Sequence, residues 1–178
     1  MSVTTSPEPR YDRITIALHW AVVVLVALLW GIAQIIDLFP RGPLRVDARS
    51  LHIVLGLLLA GVMILRIVWR AGAGRALPPA SDGVMQTIAN AVHYALYALV
   101  SGEVLLGMAN AWVRGDSIFG LFSLPGFAPL GEIVGDLHAI GANLILLAAG
   151  AHAAAALLHH FILRDGVLLR MVPPQRRR

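Results

Sequence analysis

Four long apolar runs, separated by short stretches rich in proline, glycine and arginine, account for most of the chain. The first spans about Ile14 to Ile36, the second Leu51 to Trp69, the third Met85 to Trp112 and the fourth Ile133 to Leu163. A helix needs about 20 apolar residues to cross a ~30 Å hydrocarbon layer. Each run reaches about that length, and the fourth exceeds it enough to require tilt or protrusion. The pattern predicts an all-α integral membrane four-helix bundle, with residues 1–178 as a single domain. The first run is too long for the apolar core of a typical signal peptide, and no clear small-residue cleavage site follows it. A retained helix is therefore expected.

The connections read as loops. DLFPRGPLRVDARS carries two prolines and mixed charge, and RAGAGRALPPASDG ends in a helix-start signal at Ser81–Asp82. RGDSIFGLFSLPGFAPLG combines glycine and proline with apolar residues, which suits the membrane interface. The tail PPQRRR reads as disordered and close to anionic headgroups.

Composition narrows the function classes. Hydrophobic residues make up 58% and charged residues 13%, against roughly half and a quarter in soluble domains. The formal net charge is +4, and all 14 basic residues are arginine. These arginines lie between or beyond the apolar runs, forming no basic stripe on a soluble domain, so no nucleic-acid partner is expected. The absence of cysteine excludes disulfides, iron–sulfur clusters, thiolate-ligated haem and covalent haem attachment. Arginine also predicts orientation. Ten arginines (10, 13, 66, 70, 75, 164, 170, 176, 177 and 178) fall on one side and four (41, 45, 49 and 114) on the other. The positive-inside rule places the first side, with both termini, in the cytoplasm.

All seven histidines fall within apolar runs: His19, His52, His93, His138, His152, His159 and His160. Ionisable groups at membrane depth are costly and usually functional, although any one of them can serve only to hydrogen-bond a neighbouring helix. His138 and His152 are 14 residues apart. At about 100° and 1.5 Å per residue, they share a face within ~40° and are separated by ~21 Å. His19 lies near the cytoplasmic start of the first helix, and His52 at the outer start of the second. Matching depths gives two pairs, His19 with His152 and His52 with His138.

Two imidazoles alone leave bare zinc or copper short of ligands. Haem brings four nitrogens of its own, and two axial histidines complete its iron. Small residues offer it room: Gly56 follows His52 by four positions and Gly141 follows His138 by three. Close helix packing is the other use of such glycines. Ligand number and room favour haem over a bare metal.

RYDRITIALHW at the start, LHIVLGLLLAGVMILRIVWR in the second helix, HYALY in the third and HAAAALLHHFILRDGVLLRMVP at the end together resemble the bacterial cytochrome b561 family. That family is related to the cytochrome b subunits of membrane hydrogenases and formate dehydrogenases. The resemblance covers nearly the whole chain. It implies a multi-pass protein of the bacterial inner membrane holding two non-covalent haems b, on pairs matching His19–His152 and His52–His138. It also implies electron exchange with a ubiquinone-type quinone, and one member type oxidises superoxide at the outer face. The chain departs from the family in the third helix, where members often carry Pro–Leu and this sequence reads SGEVLLGM. Glu103 there suits a proton path, a place near the outer haem, or a neutral acid bonded to a helix.

Other residues take supporting roles in this reading. His159, seven past His152, is the runner-up ligand and is better placed beside a propionate or a quinone. His160 is expected at the interface, and His93 at a haem edge or bonded to a neighbour. Arg13, Arg66 and Arg70 on one side, and Arg45 and Arg49 on the other, are candidate propionate partners, since arginine binds carboxylates bidentately. The four outer arginines can also steer an anionic donor. The electron donor is otherwise unspecified, and a homodimer is left open. Two rival classes remain. One is a membrane-anchor electron-transfer subunit of a larger oxidoreductase. The other is a metal-binding transporter, disfavoured because only Glu103 lies near the membrane midplane among the carboxylates. A metalloprotease of H-E-x-x-H type is excluded, because HAAAALLHH lacks that spacing.

Overall fold

The computed structural model describes residues 9–173. The expectation for the tail, and the start of the polar leader, lie outside the described residues. Four helices form the body: α1 (Arg13–Ile36), α2 (Pro43–Ala71), α3 (Gly83–Arg114) and α4 (Gly131–Leu158). All four are long and apolar enough to cross a membrane.

Local chemistry sets the helix ends. Asp12 caps α1 by accepting from the Thr15 backbone N–H at 2.8 Å and the Thr15 hydroxyl at 2.6 Å. The same carboxylate accepts from the Trp69 indole and the Arg75 N–H, both at 3.0 Å, so it ties α1 to the end of α2. Partial burial works to raise its pKa, but these bonds outweigh that and hold the carboxyl well below the usual range. α3 begins after Asp82, as its sequence signal predicts, and ends at Gly115 in the left-handed conformation (φ 67°) that a side chain would strain.

α2 differs from expectation. It starts at Pro43, so part of the DLFPRGPLRVDARS segment predicted as loop is helix. Proline favours the first helical position because its missing N–H has no partner there anyway. The polar turn that follows is helix outside the apolar layer, where hydropathy gives no signal. His52 consequently lies well inside α2 rather than at its start. α4 also changes character at its end, where a π-helical turn, His159–Leu163, replaces the last α turn.

α1 packs along α2 and α3 along α4, while α2 and α3 touch less and α1 and α4 hardly at all. The side-chain core is small: Leu25 of α1, Leu59 and Met63 of α2, Val100 of α3 and Ile145 of α4. Large apolar residues such as Ile64, Leu105 and Leu147 point outward, as they do where lipid is the solvent.

The two ends of the bundle are built differently. At one, which we term the strap end, the segment after α4 folds across the bundle. Arg170 O accepts from the Tyr11 N–H at 3.1 Å, Met171 O from the Trp20 indole at 3.0 Å, and Arg170 donates to Pro78 O at 2.8 Å. At the other, the hairpin end, β1 (Ser117–Ile118) pairs antiparallel with β2 (Phe122–Ser123). Phe119 and Gly120 both take positive φ in its turn, the twist that suits a hairpin. Fully buried Ser50 clamps this hairpin to α2: its hydroxyl lies 2.7 Å from Val46 O and 3.0 Å from Ser117 O, and accepts from the Phe119 N–H at 2.8 Å.

Candidate functional site: two histidine layers

The core lies halfway between two layers of histidine. His52 and His138 stand seven residues before Leu59 and Ile145, and His152 stands seven after Ile145, so each layer is about 10 Å from the core. The layers bridge the two helix pairs, which otherwise meet loosely. His52 of α2 faces His138 of α4 with ring centroids 6.1 Å apart, and His19 of α1 faces His152 of α4 at 6.5 Å. An imidazole nitrogen sits about 2 Å from its metal and the ring centre about 1.1 Å behind, so two rings opposed across one ion have centroids roughly 6.2 Å apart. Both separations fit that figure. His93 of α3 is also in the strap-end layer, but its ring centre is 5.1 Å from that of His152, too close for an ion between them.

The surroundings fit a flat macrocycle better than a bare ion. Among the described residues no group of three His, Cys, Asp or Glu side chains converges on a point, as zinc would require. A Cβ on Gly56 would meet open space beside His52. A Cβ on Gly107 would come within 2.9 Å of His138 Cε1, so that glycine gives the ring its place. Nothing in the sequence singled out Gly107, because only the fold brings α3 against His138. Gly141 has a different neighbour from the one expected: a Cβ there would overlap the Glu103 carboxylate.

The layers differ in electrostatics. At the hairpin end, Glu103 Oε1 lies 2.8 Å from His138 Nδ1. At the strap end, Arg66 Nη2 lies 3.3 Å from His19 Nδ1, with the guanidinium also reaching Thr15 O at 3.4 Å and lying 5.4 Å from the Tyr97 ring centre. Of the three arginines expected on that side, only Arg66 reaches the histidine layer. Arg70 lies over the Tyr11 ring and donates to Arg75 O, and Arg13 is exposed.

Beyond the layers, each end holds a further polar group. The π-helical turn aims His159 Nδ1 at Asp165, and the two are bonded. Burial works to raise the Asp165 pKa, but the bonds from His159 and from the Val167 N–H hold it below the usual range. His160 turns instead against the Phe161 ring. At the hairpin end, a cleft of about 450 Å³ gathers Arg41, Arg45, Arg49 and Arg114, along with Asp37 and Asp116. Arg49 and Arg114 lie 3.3 and 3.7 Å from Asp116, and Arg45 lies 3.5 Å from Asp37. These are the four arginines that the sequence counts on one side, and the fold brings them together.

Comparison with known proteins agrees with this architecture. The family model described as prokaryotic cytochrome b561 matches residues 10–174. Cytochrome b561 homolog 2 of Escherichia coli K12 is 32% identical over 181 residues, covering 97% of this chain and 95% of the relative. Cytochrome b561 homolog 1 of the same organism is 30% identical, covering 92% and 97%. A protein of Yersinia pestis named probable superoxide oxidase CybB is 28% identical, covering 94% and 98%. The chain belongs to the prokaryotic cytochrome b561 family and, by that membership, is a multi-pass bacterial membrane cytochrome b, an electron-transfer protein that binds haem b.

Proposed function

We propose that this protein conducts electrons across the bacterial inner membrane through two bis-histidine haems b, from a donor at the hairpin end to a ubiquinone-type quinone at the strap end. The observation that carries this reading is the pair of facing histidines at each of two heights, 6.1 and 6.5 Å apart. His52 and His138 would hold one haem, and His19 and His152 the other. Bound haem would supply a one-electron iron couple, and ligation by two of these histidines would leave the iron no open position for oxygen.

The chain's own groups serve the two ends. The cleft itself, four arginines against two aspartates, is electropositive, which raises the local concentration of a small anionic donor. Superoxide has that chemistry, and the Yersinia pestis relative is named for it. At the strap end His159 is bonded to Asp165 through Nδ1, leaving Nε2 to meet a quinone oxygen. A proton on Nε2 can be passed to that oxygen, and the Asp165 carboxylate steadies the imidazolium. Arg66 lies in the same end of the bundle and adds positive charge.

The test uses purified protein reduced with dithionite, freed of excess reductant and mixed with a short-chain ubiquinone. Haem should reoxidise rapidly in the parent, and His159→Ala should retain both haem signals while slowing the reaction about tenfold or more. Loss of a haem in His159→Ala would make that residue a ligand. Unchanged kinetics would move the quinone to another site.

A further inference from the structure

We propose that Glu103 is a positioning residue that makes the hairpin-end haem site the low-potential one, by accepting the Nδ1 proton of His138. This rests on the di-haem reading above and goes beyond it, because it orders the two sites. His138 has two ring nitrogens. If Nε2 binds iron, Nδ1 keeps its proton and needs an acceptor. Glu103 Oε1, 2.8 Å away, is that acceptor. The present ring orientation points the N–H off the line between them, and neither atom has another partner.

The seat for this carboxylate is built by the neighbouring helix. Glu103 projects from α3 to the place on α4 where Gly141 has no side chain, and a Cβ there would overlap its second oxygen. Both side chains are largely withdrawn from the surface, His138 at 22% and Glu103 at 13% exposure. In such a medium a nearby charge acts strongly. A carboxylate on Nδ1–H gives the imidazole some anionic character, makes it a stronger donor to ferric iron, and adds negative charge beside the site. Each effect favours the oxidised iron and lowers the potential.

The strap-end layer has the opposite neighbour. His19 Nδ1 faces Arg66, which carries a fixed positive charge and only donates. It offers His19 no acceptor, and its charge favours reduced iron. The two layers are therefore biased in opposite directions, and an electron entering at the hairpin end moves downhill to the strap end.

The experiment is a spectroelectrochemical titration of the full chain in detergent, with haem per chain measured alongside. The hairpin-end couple is assigned as the one that remains in His19→Ala. Glu103→Gln and Glu103→Leu should keep two haems and raise that couple by at least tenfold in its reduction equilibrium, 59 mV for one electron. The other couple should not move, and Glu103→Asp should fall between parent and Gln. Gly141→Ala displaces the carboxylate without removing it and should raise the same couple, so the test survives if Glu103 variants lose haem. Two haems with the hairpin-end couple unmoved in both Glu103→Gln and Gly141→Ala would overturn the inference. Fewer than two haems in the parent would instead overturn the di-haem reading on which it rests.

Discussion

Asp12 shows how much one residue holds at the strap end. It caps α1, binds Trp69 of α2 and accepts from Arg75 in the next connection. Because its folded pKa is lowered, its contribution is fully present above the unfolded value and is lost as pH falls. Asp12→Ala should cost about 1 kcal/mol at neutral pH, seen as a lower thermal midpoint in detergent. The difference from the parent should narrow below about pH 4, and a constant difference down to pH 3 would contradict this account. The candidate ligands were legible in the sequence at this scale, because a 14-residue spacing on one helix and two depth-matched partners follow from helical rise alone. The place of Gly107, and the seating of Glu103 against Gly141, were not legible. Which side chain fills the space beside His138 depends on how α3 and α4 lean together, and no single-helix periodicity carries that.

Among the elements, the apolar runs predicted α1, α3 and α4 closely, since a span's limits are set by the layer it crosses. α2 escaped by eight residues at its start, and the hairpin was missed. Strands of two residues have no alternation to read, and Phe119 at φ 49° is not a residue that signals a left-handed turn. What holds the hairpin is Ser50, whose hydroxyl meets Val46, Ser117 and Phe119. Ser50→Ala leaves the part-buried Phe119 N–H without its acceptor, at a cost of about 1 kcal/mol. Limited proteolysis should then cut faster at the Phe119–Leu121 turn while the visible haem spectrum stays unchanged. Equal cleavage rates would mean that the hairpin is held by the Asp116 ion pairs instead.

For the whole molecule, the loose meeting of α1–α2 with α3–α4 is the feature that matters, because the histidine layers lie in that seam. Which end faces the cytoplasm is an expectation from arginine counts. The lack of native cysteine makes it simple to check. Leu121→Cys, in the hairpin, should react with an impermeant maleimide on intact spheroplasts, and Ala80→Cys, between α2 and α3, only after permeabilisation. The reverse pattern would invert the bundle and the proposed direction of electron flow. The central claim, two haems held by two depth-matched histidine pairs, is tested most directly by haem content and spectrum in the four single alanine variants. The parent should carry two acid–acetone-extractable protohaems per chain. Each variant should carry one, with His52→Ala and His138→Ala sharing one spectrum and His19→Ala and His152→Ala the other. A parent ratio near one or zero, or a shared loss in His19→Ala and His138→Ala, would contradict it.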